Sequence, residues 1–458
     1  MAAARLLLLL RVLAVLAAAA LAAASAARRG SAVVSLRELD GWAAAKETRS
    51  SRYAAEMLGE QKKAGGAART ATTVLELRHH SLTAIPDDPA ARDRYLRRLL
   101  AADEARANSL QPRGNRAAAS TQSGSAELRL RLPRRQPHRH RLIVDTGSDL
   151  TWVQCKPCSA CYAQHDPLFD PAGSATYAAV RCNASACAAS LKAATGAPGS
   201  CATTGGSGGS EKCYYALAYG DGNRGLFGGA AGLMGLGRTE LSLVSQAAPR
   251  YGGVFSYCLP ATTSGDSSGS LSLGGGGDDA SSYRNKTPVA YTRMIADPAQ
   301  PPFYFLNVTG AAVGGAPVSA AGLGAGNVLI DSGTVITRLA PSVYRAVRAE
   351  FTRQFGGGYP AAPGFSILDT CYDLTGHEEV KVPLLTLRLE GSAEVTVDAA
   401  GMLFVVRKDG SQVCLAMASL SYEDQTPIIG NYQQKNKRVV YDTVGSRIGF
   451  ADEDCGYV

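Results

Sequence analysis

Two stretches far apart in the chain repeat one pattern: Leu142-Ile143-Val144-Asp145-Thr146-Gly147-Ser148 and Val328-Leu329-Ile330-Asp331-Ser332-Gly333-Thr334. Each opens on a short apolar run rich in β-branched residues, which reads as a buried strand. Each run ends in an Asp, a hydroxyl residue and a Gly, so the strand stops in a tight turn that another backbone can approach closely. A carboxylate at the end of a buried strand is expensive unless it is hydrogen-bonded, paired or used. A lone Asp-Ser/Thr-Gly arises by chance roughly once in several chains of this size, and it ordinarily caps a turn. Two of them, each behind an apolar run and each followed by a second hydroxyl, point to a duplicated site.

A second repeat supports the first. Ala231-Gly232-Leu233-Met234-Gly235-Leu236-Gly237 and Pro427-Ile428-Ile429-Gly430-Asn431 are both apolar strands ending in Gly. Gly235 lies 90 residues after Asp145, and Gly430 lies 99 residues after Asp331. This ordered pair of pairs resembles the pepsin-like aspartic proteases. With Asp149-Leu150-Thr151-Trp152-Val153-Gln154-Cys155 and the cysteines that follow, it resembles the plant nepenthesin-type subgroup. The resemblance covers Leu142 to Cys455 apart from a gap after Gly222.

The resemblance implies an all-β, bilobal fold with a cleft between two related lobes, one Asp coming from each. It implies endoproteolysis at acidic pH by an Asp145/Asp331 dyad that activates a water, with no metal or organic cofactor. Thr146 and Ser332 would cross-brace the two turns, Gly147 and Gly333 would donate backbone N–H groups to the carboxylates, and Ser148 and Thr334 would be the outer hydroxyls. The family's flap tyrosine falls on Tyr219, just before Gly220-Asp221-Gly222, and its indole partner on Trp152. Past Gly222 the chain departs from the pattern. It runs straight into Asn223-Arg224-Gly225-Leu226-Phe227, where relatives carry the returning flap strand and a Phe-Gly-Cys-Gly segment. A shortened flap makes a catalytically impaired homologue, acting as a binding or inhibitor protein, the alternative function.

The expected division is a signal peptide over 1–26, a propeptide and linker over 27–127, an N-terminal lobe over 128–290 and a C-terminal lobe over 291–458. The first segment has an early Arg, a Leu/Ala/Val-rich run and Ala24-Ser25-Ala26 as a small-residue cleavage site. A membrane anchor and a plastid transit peptide are its rivals. The predicted location is therefore secreted (apoplast) or vacuolar, with the chloroplast as alternative. No later stretch is apolar for long enough to span a bilayer. In the second segment Val74 to His80 reads as a strand. Asp87 to Leu110 reads as a helix with Tyr95, Leu96, Leu99 and Leu100 on one face and many arginines on the other. Of the 47 Lys/Arg and 39 Asp/Glu, 25 and 12 precede Leu142, which leaves 22 basic against 27 acidic residues in the globular part. A basic segment beside an acidic body reads either as an inhibitory clamp released when carboxylates protonate or as a solvated linker. The acidic body weighs against nucleic acid as a partner. The expected partners are protein or peptide substrates and the chain's own propeptide, on a monomer.

Leu128, Leu130 and Leu132 alternate with Arg129 and Arg131 as a short strand, and a basic run from Pro133 to Arg141 follows. That run does not match the Gly-Thr-Pro-type turn of the family; a genuine variant and a locally shifted reading frame look alike here.

The eleven cysteines are Cys155, Cys158, Cys161, Cys182, Cys187, Cys201, Cys213, Cys258, Cys371, Cys414 and Cys455. Cys155, Cys158, Cys161 and His165 have a zinc-like spacing, but in a secreted chain disulfides are the better reading. Asn183, Asn285 and Asn307 begin Asn-x-Ser/Thr sequons and are N-glycosylation candidates. Of six His residues only His165 and His377 lie after Arg141, and neither sits in a hydrolase motif. No Gly-x-Ser-x-Gly follows an apolar strand as a nucleophile elbow must, and no His-Glu-x-x-His or phosphate-binding loop is present in the sequence.

Overall fold

The computed structural model describes residues 30–35, 72–79, 85–112, 126–131, 139–158, 161–174, 229–261, 268–275, 285–324 and 326–456. Tyr219, the segment after Gly222, Cys182, Cys187, Cys201, Cys213, Asn183 and the expected signal peptide lie outside those residues.

Ten strands make one sheet, in the order Trp152–Val153, Gly232–Gly235, Arg139–Asp145, Ala126–Arg131, Thr73–His79, Ser268–Leu273, Val254–Cys258, Lys437–Asp442, Arg447–Asp452 and Ala290–Arg293. An eight-stranded sheet follows the order Glu394–Thr396, Leu385–Leu389, Phe305–Val313, Asn327–Ile330, Ile428–Ile429, Thr337–Leu339 and Met417–Ser419, with Ala316–Val318 on the Phe305–Val313 strand. The β-branched and aromatic runs that the sequence marks as strands are the inner strands here. Their side chains fill a continuous core that includes Leu142, Val144, Met234, Phe255, Tyr257, Leu306, Ile330 and Tyr441. Phe255 stacks on Tyr441 with ring centroids 4.5 Å apart. The hydroxyls of Tyr257 and Tyr441 lie 2.9 Å apart, so these buried phenols satisfy each other.

Two local arrangements repeat, as the paired motifs predict. The Arg139–Asp145 strand runs parallel to Gly232–Gly235, with Asp145 opposite Gly235. The Asn327–Ile330 strand runs parallel to Ile428–Ile429, with Ile330 opposite Ile429. Both partner strands end in a Gly because a backbone crosses there. A Cβ on Gly235 would lie 2.4 Å from the Asp149 carbonyl, and one on Gly430 would lie 2.5 Å from the Val335 carbonyl oxygen.

Among the described residues three disulfides join Cys158 to Cys161, Cys258 to Cys455, and Cys371 to Cys414. Cys158 and Cys161 thus spend their sulfurs on each other. The His165 N–H donates to the Gly229 carbonyl at 2.8 Å. Cys155 is buried.

The Thr73–His79 strand lies inside the ten-stranded sheet, antiparallel to both Ala126–Arg131 and Ser268–Leu273. The following Pro89–Ser109 helix starts on Asp88, whose side chain accepts from the Ala91 N–H at 2.7 Å, with Pro89 in the first turn. Its 21 residues reach about 30 Å at 1.5 Å per residue. Leu96 and Leu100 pack with Val335, Ile336, Phe404 and Ala418. Ala107 and Leu110 pack with Phe305, Leu329 and Ile428. Two of the helix's arginines lie on the apolar stripe rather than opposite it. Arg92 and Arg106 are buried with Leu96, Leu100 and Ala107. They can be buried because each has oxygen acceptors waiting; for Arg92 these are the Val406 and Val405 carbonyls, at 2.9 and 3.2 Å. Among the described residues no helix is long and apolar enough to cross a membrane.

Candidate active site

The two Asp turns meet and are tied together by their hydroxyl residues. The Thr146 N–H donates to Ser332 Oγ at 3.1 Å, and the Ser332 N–H donates to Thr146 Oγ1 at 2.9 Å. Ser332 Oγ in turn donates to the Val144 carbonyl at 3.0 Å. The brace is reciprocal, so neither turn can shift without leaving a buried donor unsatisfied.

Asp145 and Asp331 are fully buried and within hydrogen-bonding reach of each other. Each carboxylate has the same local support. The N–H groups of Gly147 and Gly333 donate to the Oδ1 atoms of Asp145 and Asp331, at 3.0 and 2.9 Å. Ser148 Oγ and Thr334 Oγ1 donate to the Oδ2 atoms, at 2.5 and 2.6 Å. The glycines are needed for approach. A Cβ on Gly333 would sit 2.2 Å from Asp145 Oδ1, and one on Gly147 would sit 2.6 Å from Asp331 Oδ1.

Between the carboxylates stands a guanidinium. Arg106 Nη2 donates to Asp145 Oδ1 at 2.8 Å and to Asp331 Oδ2 at 3.3 Å, with the arginine side chain only 3% exposed. One helical turn earlier, Asp103 accepts from the N–H groups of Val335 and Ile336 at 2.6 and 3.1 Å, and from Arg338 Nη2 at 2.9 Å. Just past the helix, Gln111 exchanges hydrogen bonds with the Thr426 backbone, at 2.6 Å to its N–H and 3.2 Å to its carbonyl.

Comparison with known proteins gives the family. Residues 128–224 and 204–275 match the family model described as xylanase inhibitor N-terminal, and residues 303–452 match xylanase inhibitor C-terminal. An aspartyl protease family protein of Arabidopsis thaliana is 40% identical over 347 residues, covering 69% of each chain. Aspartic proteinase nepenthesin-1 of Nepenthes gracilis is 32% identical over 342 residues, covering 69% of this chain and 74% of the relative. The chain belongs to the plant pepsin-like aspartic proteases. Among solved structures, edgp matches with a TM-score of 0.54 at 19% identity, covering 86% of this chain and 97% of that one. Basic 7S globulin from soybean matches with 0.54 at 16% identity, covering 83% and 95%. These likenesses give the fold, which is the bilobal, mostly β pepsin-like one.

In this aspartic protease homologue the electrostatics of the pair follow from burial and from Arg106. Burial is the largest influence on Asp145 and raises its pKa. Arg106 pulls against it and the facing Asp331 adds to it, with a net value of about 6. Burial also works on Asp331, but Arg106, the Thr334 hydroxyl and the Gly333 N–H together bring it below the ordinary carboxylate value. The two titrate as a pair, with one proton shared unequally while the guanidinium is in place.

Trp152 is half-buried on the edge strand beside Leu233, packed with Ile143, Ala230 and Tyr162. Asn307 lies on a strand, where its Nδ2 donates to Glu390 Oε2 at 3.4 Å, and Asn285 lies in an isolated bridge to Glu453. The sequence reading did not single out Arg106, Asp103 or Arg338. A signal for the first two was present: with Leu96, Leu100, Ala107 and Leu110 they recur at helical spacing, two charged residues on an otherwise apolar stripe.

Proposed function

We propose that this chain is the latent form of an acid endopeptidase whose Asp145 and Asp331 hydrolyse peptide bonds of proteins. The observation that carries the reading is a pair of fully buried carboxylates on mutually braced turns with a cation lodged between them. Aspartates that merely capped their own turns would gain nothing from being brought together, because like charges at that distance cannot both ionise readily. A pair sharing one proton is a general base and a general acid side by side. The ionised partner takes a proton from water as the water attacks the scissile carbonyl. The protonated partner hydrogen-bonds the carbonyl oxygen, and a proton then passes to the leaving amine.

Arg106 fills the place that water and the scissile bond need, so the Pro89–Ser109 helix and a substrate exclude each other. Residues 27–127 act in this reading as an inhibitory propeptide. Acid opens the lock with a definite sign. The Arg106 contact depresses Asp331, so the stabilisation it gives is fully present above the ordinary carboxylate value of 3.8 and is lost as pH falls through the lowered one. An N-terminal signal peptide, N-glycans at Asn183, Asn285 and Asn307, and a monomer in the apoplast or vacuole complete the proposal, with the chloroplast as the alternative location. Tyr219 and Trp152 take the flap and substrate-contacting roles in it.

The alternative is a silent homologue that binds or inhibits another protein, and the inhibitor descriptions of the matched family models favour keeping it in view. The test that separates them is cleavage of an unfolded protein by the acidified full chain, with pepstatin and Asp331→Ala as controls. Pepstatin-sensitive turnover abolished by Asp331→Ala is the expected result. No turnover from a folded, acid-processed chain overturns the enzyme reading in favour of the binding protein.

A further inference from the structure

Arg338 is 1% exposed, and both carboxylates that pair with it among the described residues come from the Pro89–Ser109 helix. Asp103 Oδ2 lies 2.9 Å from Arg338 Nη2, and Glu104 Oε2 lies 3.2 Å from the same nitrogen. From its own lobe Arg338 meets the Ile336 carbonyl, which accepts from Nη1 at 3.0 Å. The Asp103 carboxylate is also held by two backbone N–H groups, those of Val335 and Ile336. Three converging donors, one of them cationic, on an element that directly follows the Asp331 turn make a carboxylate-binding site.

That site belongs to the body of the protein, while its occupant belongs to the helix. If the helix leaves, Arg338 and the two N–H groups lose the anion that satisfies them. A buried guanidinium without a carboxylate is unfavourable, so another anion is drawn in. Asp103 sits three residues before Arg106, whose guanidinium is at the carboxylate pair. Three helical residues advance about 4.5 Å, comparable to one or two residues of an extended chain at about 3.3 Å each. The helix thus lays a cation on the dyad and an anion where a nearby substrate side chain would lie.

We propose that Arg338, with the Val335 and Ile336 N–H groups, forms a substrate subsite selective for an acidic side chain close to the scissile bond, and that Asp103 occupies it in the latent chain. This deepens the proteolytic reading and rests on it. The site requires the substrate carboxylate to be ionised, so the selectivity grows as pH rises through the ordinary Asp range near 4.

The test uses peptides carrying Asp, Asn, Ala or Lys in turn at each of the four positions nearest the cleaved bond. They are offered to the acidified full chain as wild type, Arg338→Gln and Arg338→Lys. At one position the wild type is expected to cleave the Asp peptide at least tenfold better in kcat/KM than the Asn peptide. That ratio should be larger at pH 5 than at pH 3, should fall to near one in Arg338→Gln and should be partly kept in Arg338→Lys. Binding of the same peptides to the acidified Asp331→Asn chain, followed by fluorescence anisotropy, gives a readout that needs no turnover. Cleavage without an acid preference, or a preference that survives Arg338→Gln, overturns the subsite and leaves the protease reading standing. Absent cleavage with Arg338-dependent preference for Asp over Asn in binding upholds the subsite and overturns the protease reading. Absence of both overturns both. Should neither Arg338 variant fold, the wild-type Asp-to-Asn ratio and its pH dependence decide.

Discussion

Replacing Arg106 should open the cleft at a pH where the native chain is closed. The arginine is buried and bridges two buried carboxylates at 2.8 and 3.3 Å. Truncating one partner of such a cluster typically costs about 3–5 kcal/mol, because the remaining charges stay buried and unpaired. Two effects reduce the cost in Arg106→Ala: the guanidinium no longer has to be desolvated, and the carboxyl pair can take up a proton. The lower end, about 3 kcal/mol, is therefore the figure to test, and it shifts the closed-to-open equilibrium by roughly 150-fold. A ligand that needs the open state binds with its affinity reduced by the open fraction, so pepstatin reads this equilibrium directly and without catalysis. At pH 6.5, fluorescent pepstatin should bind full-length Arg106→Ala with an apparent Kd up to about 100-fold lower than for the wild type. Arg106→Lys, which keeps the charge but loses the planar fork, should lie between them. The wild-type apparent Kd should itself drop as pH falls through the range where Asp331 protonates. If Arg106→Ala stays within threefold of wild type at pH 6.5, the guanidinium is not what holds the helix in place, and the latency argument fails.

Ser332→Ala removes the acceptor of the Thr146 N–H and the donor to the Val144 carbonyl. It should cost about 1–3 kcal/mol of stability in urea unfolding, as expected for buried groups left unsatisfied. Gly333→Ala places a methyl 2.2 Å from Asp145 Oδ1 and must push the carboxylates apart. Circular dichroism should report a retained fold while peptide cleavage falls about 100-fold, the order expected when reacting groups move by about 1 Å. The double variant Cys258→Ser, Cys455→Ser opens a link between positions 197 residues apart. Loop entropy sets an upper limit of about 5 kcal/mol on its destabilisation, to be read from thermal melts of the oxidised and variant chains.

Much of this was legible in the sequence because strand-end chemistry is local. A β-branched run followed by Asp, a hydroxyl and Gly carries its turn, its carboxylate support and its need for close approach within seven residues. Repetition of the motif then told of a second half. The parallel partners ending at Gly235 and Gly430 were legible for the same reason: a backbone crossing demands glycine at a fixed offset. What stayed hidden is non-local. The periodicity of the Pro89–Ser109 helix gave its existence and its leucine stripe. Nothing local says that a charged residue on that stripe is buried, because its partners lie in other parts of the chain: Asp145 and Asp331 for Arg106, and Arg338 for Asp103. Placing many arginines on the face away from the leucines holds for Arg97, 54% exposed in its side chain, but did not pick out Arg92 and Arg106 as the buried exceptions.

The polarity of the helix stripe bears on how such a plug can be opened. A helix that covered the carboxyl pair with leucine would desolvate it and raise both carboxyl pKa values. Its closed state would then be favoured by protonation, and acid would tighten the lock. A cation reverses the sign at Asp331, while Asp145 stays raised to about 6: Arg106 is stabilised only while a carboxylate opposite it is ionised, and protonation of Asp331 leaves a buried guanidinium without its anion. Asp103 supplies a second charged contact of opposite polarity, held by Arg338 and two N–H groups. The apolar contacts of Leu96 and Leu100 do not titrate and supply the closed state's affinity at neutral pH. In the proposed latent form, acid release rests on placing a cation, rather than another leucine, at the position of the stripe that faces the carboxyl pair.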